Sequence, residues 1–305
     1  MEEDKLVIQQ VAEERFQGHA TRKHLYLELE KEVGVPIISF FTSFTYAVMI
    51  EDNDADMLEG VLQKCDLSKG FAILLSSPGG SGLAADRIIN ICRSYSGTGE
   101  YIAIIPGKAK SAATMICFGA SKIIMGKTSE LGTIDPQIVV EEDGRVKWFS
   151  VFNIIKSYEE LFEKAVKEKG NLQPYLQQLA NYDAKEIAEY KSALSFSEDI
   201  AVKTLKSEML SNLSREKIKR QIRIFLTPEK VKVHGRPIYA QDALNCKLNV
   251  EIKDVKEKFW SIVYELYIRL NNYVSTNNVA KCIESKDYSF RGMVREANHE
   301  RNKKH

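Results

Sequence analysis

Two short apolar runs, each followed by a glycine-containing turn and a helix-forming segment, limit the possible folds of this chain more than any other feature. The runs are Phe71–Leu75 (FAILL) and Tyr101–Ile105 (YIAII), and neither alternates between apolar and polar residues. Continuous apolar runs of this length are typical of strands buried on both faces of a parallel sheet. The repeated order of strand, glycine turn, helix and strand predicts an α/β fold with right-handed crossovers.

The segments around this unit predict helices and a few further strands. Residues 1–34 read as one or two polar helices ending near Gly34, and residues 37–50 are rich enough in β-branched and aromatic residues for a strand or two. Helical spacing of apolar residues predicts a helix over 53–65 and amphipathic surface helices over about 151–223.

Near the end of the chain, residues 253–270 predict an amphipathic helix whose aromatic stripe faces the core or a neighbouring subunit. The polar and basic stretch from about Ser285 onward predicts a frayed tail. We therefore expect three parts, which are an N-terminal helical segment (1–34), a core domain with the helical insertion (35–250), and a C-terminal helix with a polar tail (251–305).

Charge and cysteine usage exclude several classes of protein. The formal net charge is only +1 although 28% of the residues are charged, so no overall field favours nucleic acid or membrane surfaces. The charged N-terminus has no apolar core of the kind found in signal peptides or anchors. The five cysteines are scattered without metal-ligand spacing, which favours free thiols in a reducing compartment. We expect a cytoplasmic protein with no metal or organic cofactor, no membrane anchor and no nucleic-acid partner.

The first glycine turn, residues 78–82 (PGGSG), follows a predicted buried strand and precedes a helix. Ligands of open parallel sheets bind where strands end, and successive glycines allow backbone N–H groups to point at one place. Such a turn suits an oxyanion or a phosphate. Glycine-rich turns also arise for packing, so this turn alone does not identify a site.

The second turn places Ser111 at the start of a helix of small residues (SAATMICFGA). A serine at a sharp turn from strand to helix has the geometry of a nucleophile elbow, in which the next backbone N–H can donate to an oxyanion. The alternative is that Ser111 only caps the helix, which is the commoner use of serine there. The presence of both turns, one helix apart in the same sheet, favours the nucleophile.

Three runs in order, SSPGGSGLAADRI, IPGKAKSAATMICFGASKIIM and LGTIDPQI, resemble the Clp-protease/crotonase superfamily. The chain is still more similar to the serine dehydrogenase proteinase (SDH) group, a Clp-class branch related to signal-peptide peptidase A. The resemblance covers about residues 35–250. It implies a ClpP/crotonase-like parallel-sheet spiral of β-β-α units with helical additions at both ends. It also implies a serine protease that hydrolyses peptide bonds.

The resemblance assigns roles to individual residues. Ser111 matches the nucleophile, Gly79 and Gly80 match the oxyanion-binding glycines, and the N–H of Ala112 would be the second oxyanion donor. Clp proteases carry a histidine base about 25 residues after the serine, whereas Asp135 stands at the corresponding place here. The SDH group has the order Ser, Asp, His, which makes Asp135 the acid and requires a later histidine.

The base has two candidates. Of the five histidines, only His234 lies within the part that resembles the family, and its alternative role is to hold a loop by hydrogen bonds. In signal-peptide peptidase A and its archaeal relatives the base is instead a lysine some 40–50 residues after the serine. Lys156 fits that spacing and lies in a less polar stretch than Lys164, and burial would have to lower its pKa.

The expected partners are an extended peptide or protein substrate and further copies of the chain. The substrate would pair with a strand edge near the glycine turn. Clp-class resemblance implies homo-oligomers, with contacts from the helices at 151–223 and 253–272. Two other functions stay open, a crotonase-like acyl-CoA enzyme with the same fold and a non-catalytic scaffold that binds through its helices.

Overall fold

The apolar runs at 71–75 and 101–105 form neighbouring strands at the centre of a parallel sheet, as predicted. The structure is a computed structural model that describes residues 5–14, 17–142, 145–227, 236–276 and 278–294. Its strands are β1 Ile37–Thr42, β2 Phe71–Ser76, β3 Tyr101–Ile105, β4 Lys108–Ala109, β5 Lys122–Gly126, β6 Glu130–Leu131, β7 Gln137–Glu142, β8 Arg145–Ser150, β9 Ile238–Tyr239, β10 Val250–Lys253, β11 Val279–Glu284 and β12 Ser289–Met293.

The central sheet has the strand order β10-β5-β3-β2-β1-β11-β12. From β10 to β1 every neighbouring pair is parallel, with Phe71 opposite Tyr101 where β2 meets β3. The last two strands run antiparallel, and Ser39 of β1 lies opposite Glu284 of β11. The predicted parallel sheet is therefore confirmed, and an antiparallel pair from the end of the chain extends it.

Helices cover both faces of this sheet. They are α1 Val7–Glu13, α2 Lys23–Val33, α3 Asp52–Leu62, α4 Gly82–Tyr95, α5 Ala112–Phe118, α6 Val151–Lys167, α7 Gln173–Leu179, α8 Ala184–Lys206, α9 Arg215–Gln221, α10 Arg223–Leu226, α11 Ala240–Asn245 and α12 Lys258–Tyr273. One hydrophobic core lies between the sheet and α3, α4, α5 and α8, and a second lies between the sheet, α2 and α12. Alternate residues of β1 enter the two cores, which explains why apolar residues of this strand face both sides of the sheet.

A second, smaller sheet joins the turns that follow the central strands. Its order is β4-β6-β9, with β4 and β6 parallel and β6 and β9 antiparallel. Ser77, just after β2, pairs with Ala109 of β4. The segment β3–β4–α5 therefore adds one strand to the large sheet and a short one to the small sheet before its helix, which is the β-β-α unit that the resemblance implies.

The chain departs from the predictions near its C-terminal end and at residues 137–150. The predicted C-terminal helix is confirmed as α12, and its aromatic stripe packs on the sheet, with Trp260 only 6% exposed. The prediction of a frayed tail from Ser285 is wrong for residues 289–293, which form β12. The hairpin of β7 and β8 was not predicted either. Residues 295–305 lie outside the described residues.

A buried ion pair attaches the N-terminal helices to β11. Both side chains of the pair Arg22 and Glu284 are fully buried, and Arg22 Nε donates to Glu284 Oε1 at 2.7 Å. Tyr26 also donates to this carboxylate at 3.0 Å. Burying two charges costs free energy that only a well-hydrogen-bonded pair offsets. The pair therefore fixes how α2 lies against the sheet.

The five cysteines, all in the described part of the chain, are free, and four of them are buried, as the sequence predicts. Burial raises the pKa of the Cys246 thiol to about 11. Thiols in such surroundings are poor nucleophiles at neutral pH.

No helix in the described ranges combines the length and the apolarity that crossing a bilayer requires.

Candidate active site

Ser111 occupies a strained turn between β4 and α5. Its backbone has φ 50° and ψ −117°, a region that costs a residue with a Cβ about 1–3 kcal/mol. Its side chain does not cap α5, so the capping alternative is not what the structure shows. The half-buried side chain instead lines a cavity of about 500 Å³. A sharp turn that presents a serine hydroxyl to a cavity is the geometry of a nucleophile elbow.

The two glycine-containing turns are in direct contact, as the sequence predicts. The backbone of Ser77 donates to the carbonyl oxygen of Lys108 and accepts from the N–H of Lys110, both at 3.0 Å. A Cβ added to Gly79 would lie 2.7 Å from the Ser111 Cβ and 2.5 Å from the Lys110 carbonyl oxygen. Only a glycine fits here, because its φ of +103° is in the left-handed region as well.

Among the described residues, some backbone groups near Ser111 form hydrogen bonds within the protein, and others are free to bind a ligand. Gly79 donates its N–H to Ser77 Oγ at 3.1 Å, and its carbonyl oxygen accepts from Ile50 at 2.8 Å. Within the described ranges, the N–H groups of Gly80 and Ala112 have no acceptor. While its N–H is bonded to Ser77 Oγ, Gly79 cannot donate to an oxyanion. Its contribution to the site is that it lets the glycine turn approach Ser111 closely.

Residues 43–50, which we call the cavity wall, form one side of the cavity. The wall connects β1 to α3 and supplies Ser43, Phe44, Tyr46, Ala47, Val48 and Met49 to the lining. Trp148 of the β7–β8 hairpin and Met115 of α5 line other sides. No charged side chain of the described residues lines this cavity. The arrangement suits an uncharged chain segment beside the Ser111 hydroxyl.

The loop that carries Asp135 is tied to the Ser111 turn. Thr114, fully buried on α5, donates to the Ala109 carbonyl oxygen at 2.8 Å and accepts from the Gly132 N–H at 3.0 Å. Lys110 forms an ion pair with Glu130 at 2.8 Å. These contacts hold the 130–135 loop against the turn.

Asp135 itself is 1% exposed and lines a different cavity, of about 400 Å³. Ile134 lines both cavities and so lies between them. The structure therefore brings Ser111 together with Gly79, Gly80 and Ala112, whereas Asp135 lines the neighbouring cavity.

The predicted base His234 lies outside the described residues, but the residues on either side of its segment are described. Ile134 donates its N–H to the Phe225 carbonyl oxygen at 2.8 Å, and Leu131 pairs with Ile238 where β6 meets β9. The chain thus leaves the 130–135 loop near Phe225 and returns to the same loop at Ile238.

The alternative base, Lys156, lies on α6 with its side chain 43% exposed. Its Nζ is 3.7 Å from Glu160 Oε1. It lines a third cavity, which does not include Ser111. Lys164, the lysine with the weaker prediction, is exposed on the same helix, as the sequence indicates. A lysine needs burial to become a base near neutral pH, and neither side chain has it here.

Sequence reasoning missed the cavity wall and Trp148 as parts of the site. The stretch 37–50 was predicted to supply one or two strands, but only Ile37–Thr42 is a strand. The hydroxyl-rich break at residues 42–45 (TSFT) was a signal that the strand ends there.

Comparisons with known proteins give one extensive match and several partial ones. A family model described as ClpP-like SDH-type serine proteinase matches residues 7–269. Two uncharacterized proteins of Methanocaldococcus jannaschii are 31% and 30% identical over 34% and 35% of this chain. Those matches cover 33% and 32% of the two proteins, so the chain spans about a third of the length of the curated relatives it matches.

Among solved structures, a serine-to-alanine mutant of the 1510-N membrane-bound stomatin-specific protease aligns with a TM-score of 0.29 and 19% identity. The alignment covers 42% of this chain and 63% of that one. A lysine-to-alanine mutant of the same protease, in complex with a substrate peptide, aligns with a TM-score of 0.28 and 17% identity over 72% and 93%. Similarity at this level has no bearing on substrate or mechanism.

Proposed function

This chain belongs to the ClpP-like SDH-type serine proteinases, and we propose that it hydrolyses peptide bonds through an acyl-enzyme on Ser111. The resemblance seen in the sequence is thereby confirmed, and the sheet with its covering helices is a ClpP-like fold. One observation supports the activity most. The strained turn of Ser111 touches Gly79 at the edge of a cavity whose described lining residues carry no charge.

In the proposed reaction, Ser111 Oγ attacks the carbonyl carbon of the scissile peptide bond while a base takes its proton. The N–H groups of Gly80 and Ala112, open in the described structure, are the proposed donors to the tetrahedral oxyanion. The C–N bond then breaks, and the amine leaves with the proton from the base. Water, activated by the same base, hydrolyses the acyl-enzyme and restores the serine.

We propose His234 as the base and Asp135 as its acid partner. Support comes from two described residues on either side of His234 in the sequence, because Phe225 and Ile238 both contact the 130–135 loop that carries Asp135. Asp135 is buried, as an acid that orients a histidine has to be. The Lys156 alternative lacks such support, since its side chain is 43% exposed.

We further propose an extended peptide substrate, self-association and a cytoplasmic location. The substrate would lie between the cavity wall and the β7–β8 hairpin, pairing its backbone with a strand edge. Exposed apolar side chains on the helical insertion support contacts between copies, among them Phe162 (51%), Val166 (69%) and Leu176 (48%). Five free cysteines support a reducing compartment.

The test is labelling of the purified chain with a fluorophosphonate probe, which reacts with activated serines. We expect labelling of the wild type, none of Ser111→Ala, and unchanged labelling of Ser157→Ala, an exposed serine on α6. Loss of labelling in His234→Ala but not in Lys156→Ala would identify the base. A wild type that resists the probe and leaves labelled casein intact would contradict the proposed activity.

A further inference from the structure

The cavity wall contains no helix or strand, and its first end is held by β11, a strand from the other end of the sequence. Ser43 donates its N–H to the Ala280 carbonyl oxygen at 2.8 Å. Beyond Ser43 the wall turns on its own hydroxyl, since Ser43 Oγ accepts from the N–H groups of Thr45 and Tyr46. The wall therefore begins at a fixed point on β11.

The second end of the wall is held by the next residue of the same strand. Lys281, with its side chain 11% exposed, donates to Asp54 Oδ2 at 2.8 Å, and Asp54 is fully buried in the first turn of α3. The same oxygen accepts from the Glu51 N–H at 2.8 Å. One carboxylate oxygen thus connects the Lys281 ammonium group to the residue that follows the wall.

Ile50, the last residue of the wall, carries this attachment to the glycine turn. Its N–H donates to the Gly79 carbonyl oxygen at 2.8 Å, and its own carbonyl oxygen accepts from Ser81 at 2.9 Å. A Cβ on Gly80 would lie 2.3 Å from the Ile50 carbonyl oxygen, so the two backbones are in close contact. A shift of residues 50–51 therefore moves the proposed oxyanion donor.

We propose that Lys281 is a positioning residue, which holds the cavity wall and the glycine turn in the arrangement that binds substrate. The inference rests on the proposed function, because it takes the cavity as the place of the substrate peptide. A buried ion pair is weak evidence of stability, since apolar replacements are often as stable. Its directed hydrogen bonds, in contrast, specify one position of the chain segment that they hold.

The pair Arg22–Glu284, in which Glu284 lies on the same strand as Lys281, is a matched control. Glu284 is as buried as Asp54, and within the described residues each carboxylate has one cationic partner, with an ion-pair distance of 2.7 Å for Glu284. It lies opposite Ser39, whereas Lys281 lies opposite Thr42 at the end of β1 next to the wall. Loss of Glu284 charge should loosen α2 and leave the cavity wall unchanged.

The experiment compares Lys281→Met, Lys281→Arg and Glu284→Gln in the full chain. We measure the casein concentration at half-maximal cleavage rate and the hydrogen exchange of the Ile50 and Ser81 amides. Lys281→Met should raise the half-saturating concentration and the exchange rates about tenfold or more, because small misplacements near a site are costly. Lys281→Arg should restore most of both. Glu284→Gln should leave the half-saturating concentration within twofold, and it should raise the exchange of Ile50 and Ser81 no more than that of the other core amides.

Equal effects of Lys281→Met and Glu284→Gln on both readouts would overturn the inference and leave a purely structural pair. Unchanged exchange at Ile50 in Lys281→Met would do the same. If Lys281→Met does not fold, Lys281→Gln, which retains a donor without the charge, takes its place with the same expected direction. If the wild type neither reacts with fluorophosphonate nor cleaves casein, the proposed function fails, while the exchange data still report on the wall.

Discussion

Replacement of Gly79 by alanine tests whether contact between the two turns is what makes Ser111 reactive. The new methyl group would lie 2.5 Å from the Lys110 carbonyl oxygen and 2.7 Å from the Ser111 Cβ. Ordinary contacts begin near 3.4 Å, so the turns would have to separate by roughly 0.7 to 0.9 Å. That movement is directed at the nucleophile.

The expected loss of activity follows from this displacement. A misplacement of about 1 Å in an active site can cost about 10²-fold in rate, or about 2.7 kcal/mol of activation free energy. Stability should also fall by about 1–3 kcal/mol, because the core is overpacked and φ is +103°. The assay is the second-order rate of fluorophosphonate labelling, measured well below the unfolding temperature.

Gly99→Ala separates backbone strain from contact. Gly99 also has a positive φ, +74°, but no heavy atom lies within 4 Å of an added Cβ. It should lose about 1–2 kcal/mol of stability from the left-handed backbone and label at the wild-type rate. Labelling of Gly79→Ala within threefold of Gly99→Ala would refute the reasoning.

Three further expectations concern the turn, the buried pair and the hairpin. In calorimetry, Ser111→Gly should unfold at a higher temperature than Ser111→Ala, because glycine relieves the backbone strain at φ 50°. A lower unfolding temperature for Ser111→Gly would contradict that strain. Burial raises the pKa of Glu284, but hydrogen bonds and charge from Arg22 outweigh it, so the net pKa lies below the ordinary 4.5. The stability from this pair should therefore be present above about pH 4.5 and decline as the pH falls through the lowered pKa. Glu284→Gln should lose about 3–5 kcal/mol of unfolding free energy at pH 7. In urea titrations its stability should also depend less on pH in the acid range than that of the wild type. Trp148 is 53% exposed in the cavity lining, whereas Trp260 is 6% exposed. Binding of casein to Ser111→Ala should therefore change the fluorescence of Trp148 alone. A fluorescence change that persists when Trp148→Phe is added would contradict the proposed substrate position.

The parts of the fold that were predictable are those whose causes are local. Residues 71–75 and 101–105 read as buried strands because every one of their side chains meets a core. The Ser111 turn was recognisable because glycines and small residues permit the close approach of two backbones. In each case a few adjacent residues are enough to predict the local structure.

The parts that were missed depend on distant partners. Lys281 and Glu284 give β11 a polar sequence, yet both are buried because Asp54 and Arg22, 227 and 262 residues away, neutralise them. A pattern of apolar residues cannot reveal such a strand. The identity of the base stays a prediction for the same reason. His234 is far from Ser111 in the sequence, and only the tertiary structure could bring the two side chains together.

The pairing of β1 with β11 also affects how the chain is made. Ser39 and Glu284 are 245 residues apart, and at about 5–20 residues per second a ribosome needs roughly 12 to 50 s to produce the second after the first. During that time one edge of β1, an apolar strand (IISFFT), has no permanent neighbour. Exposed apolar edges recruit other strands, so the nascent chain should depend on chaperones that shield this edge until synthesis reaches β11.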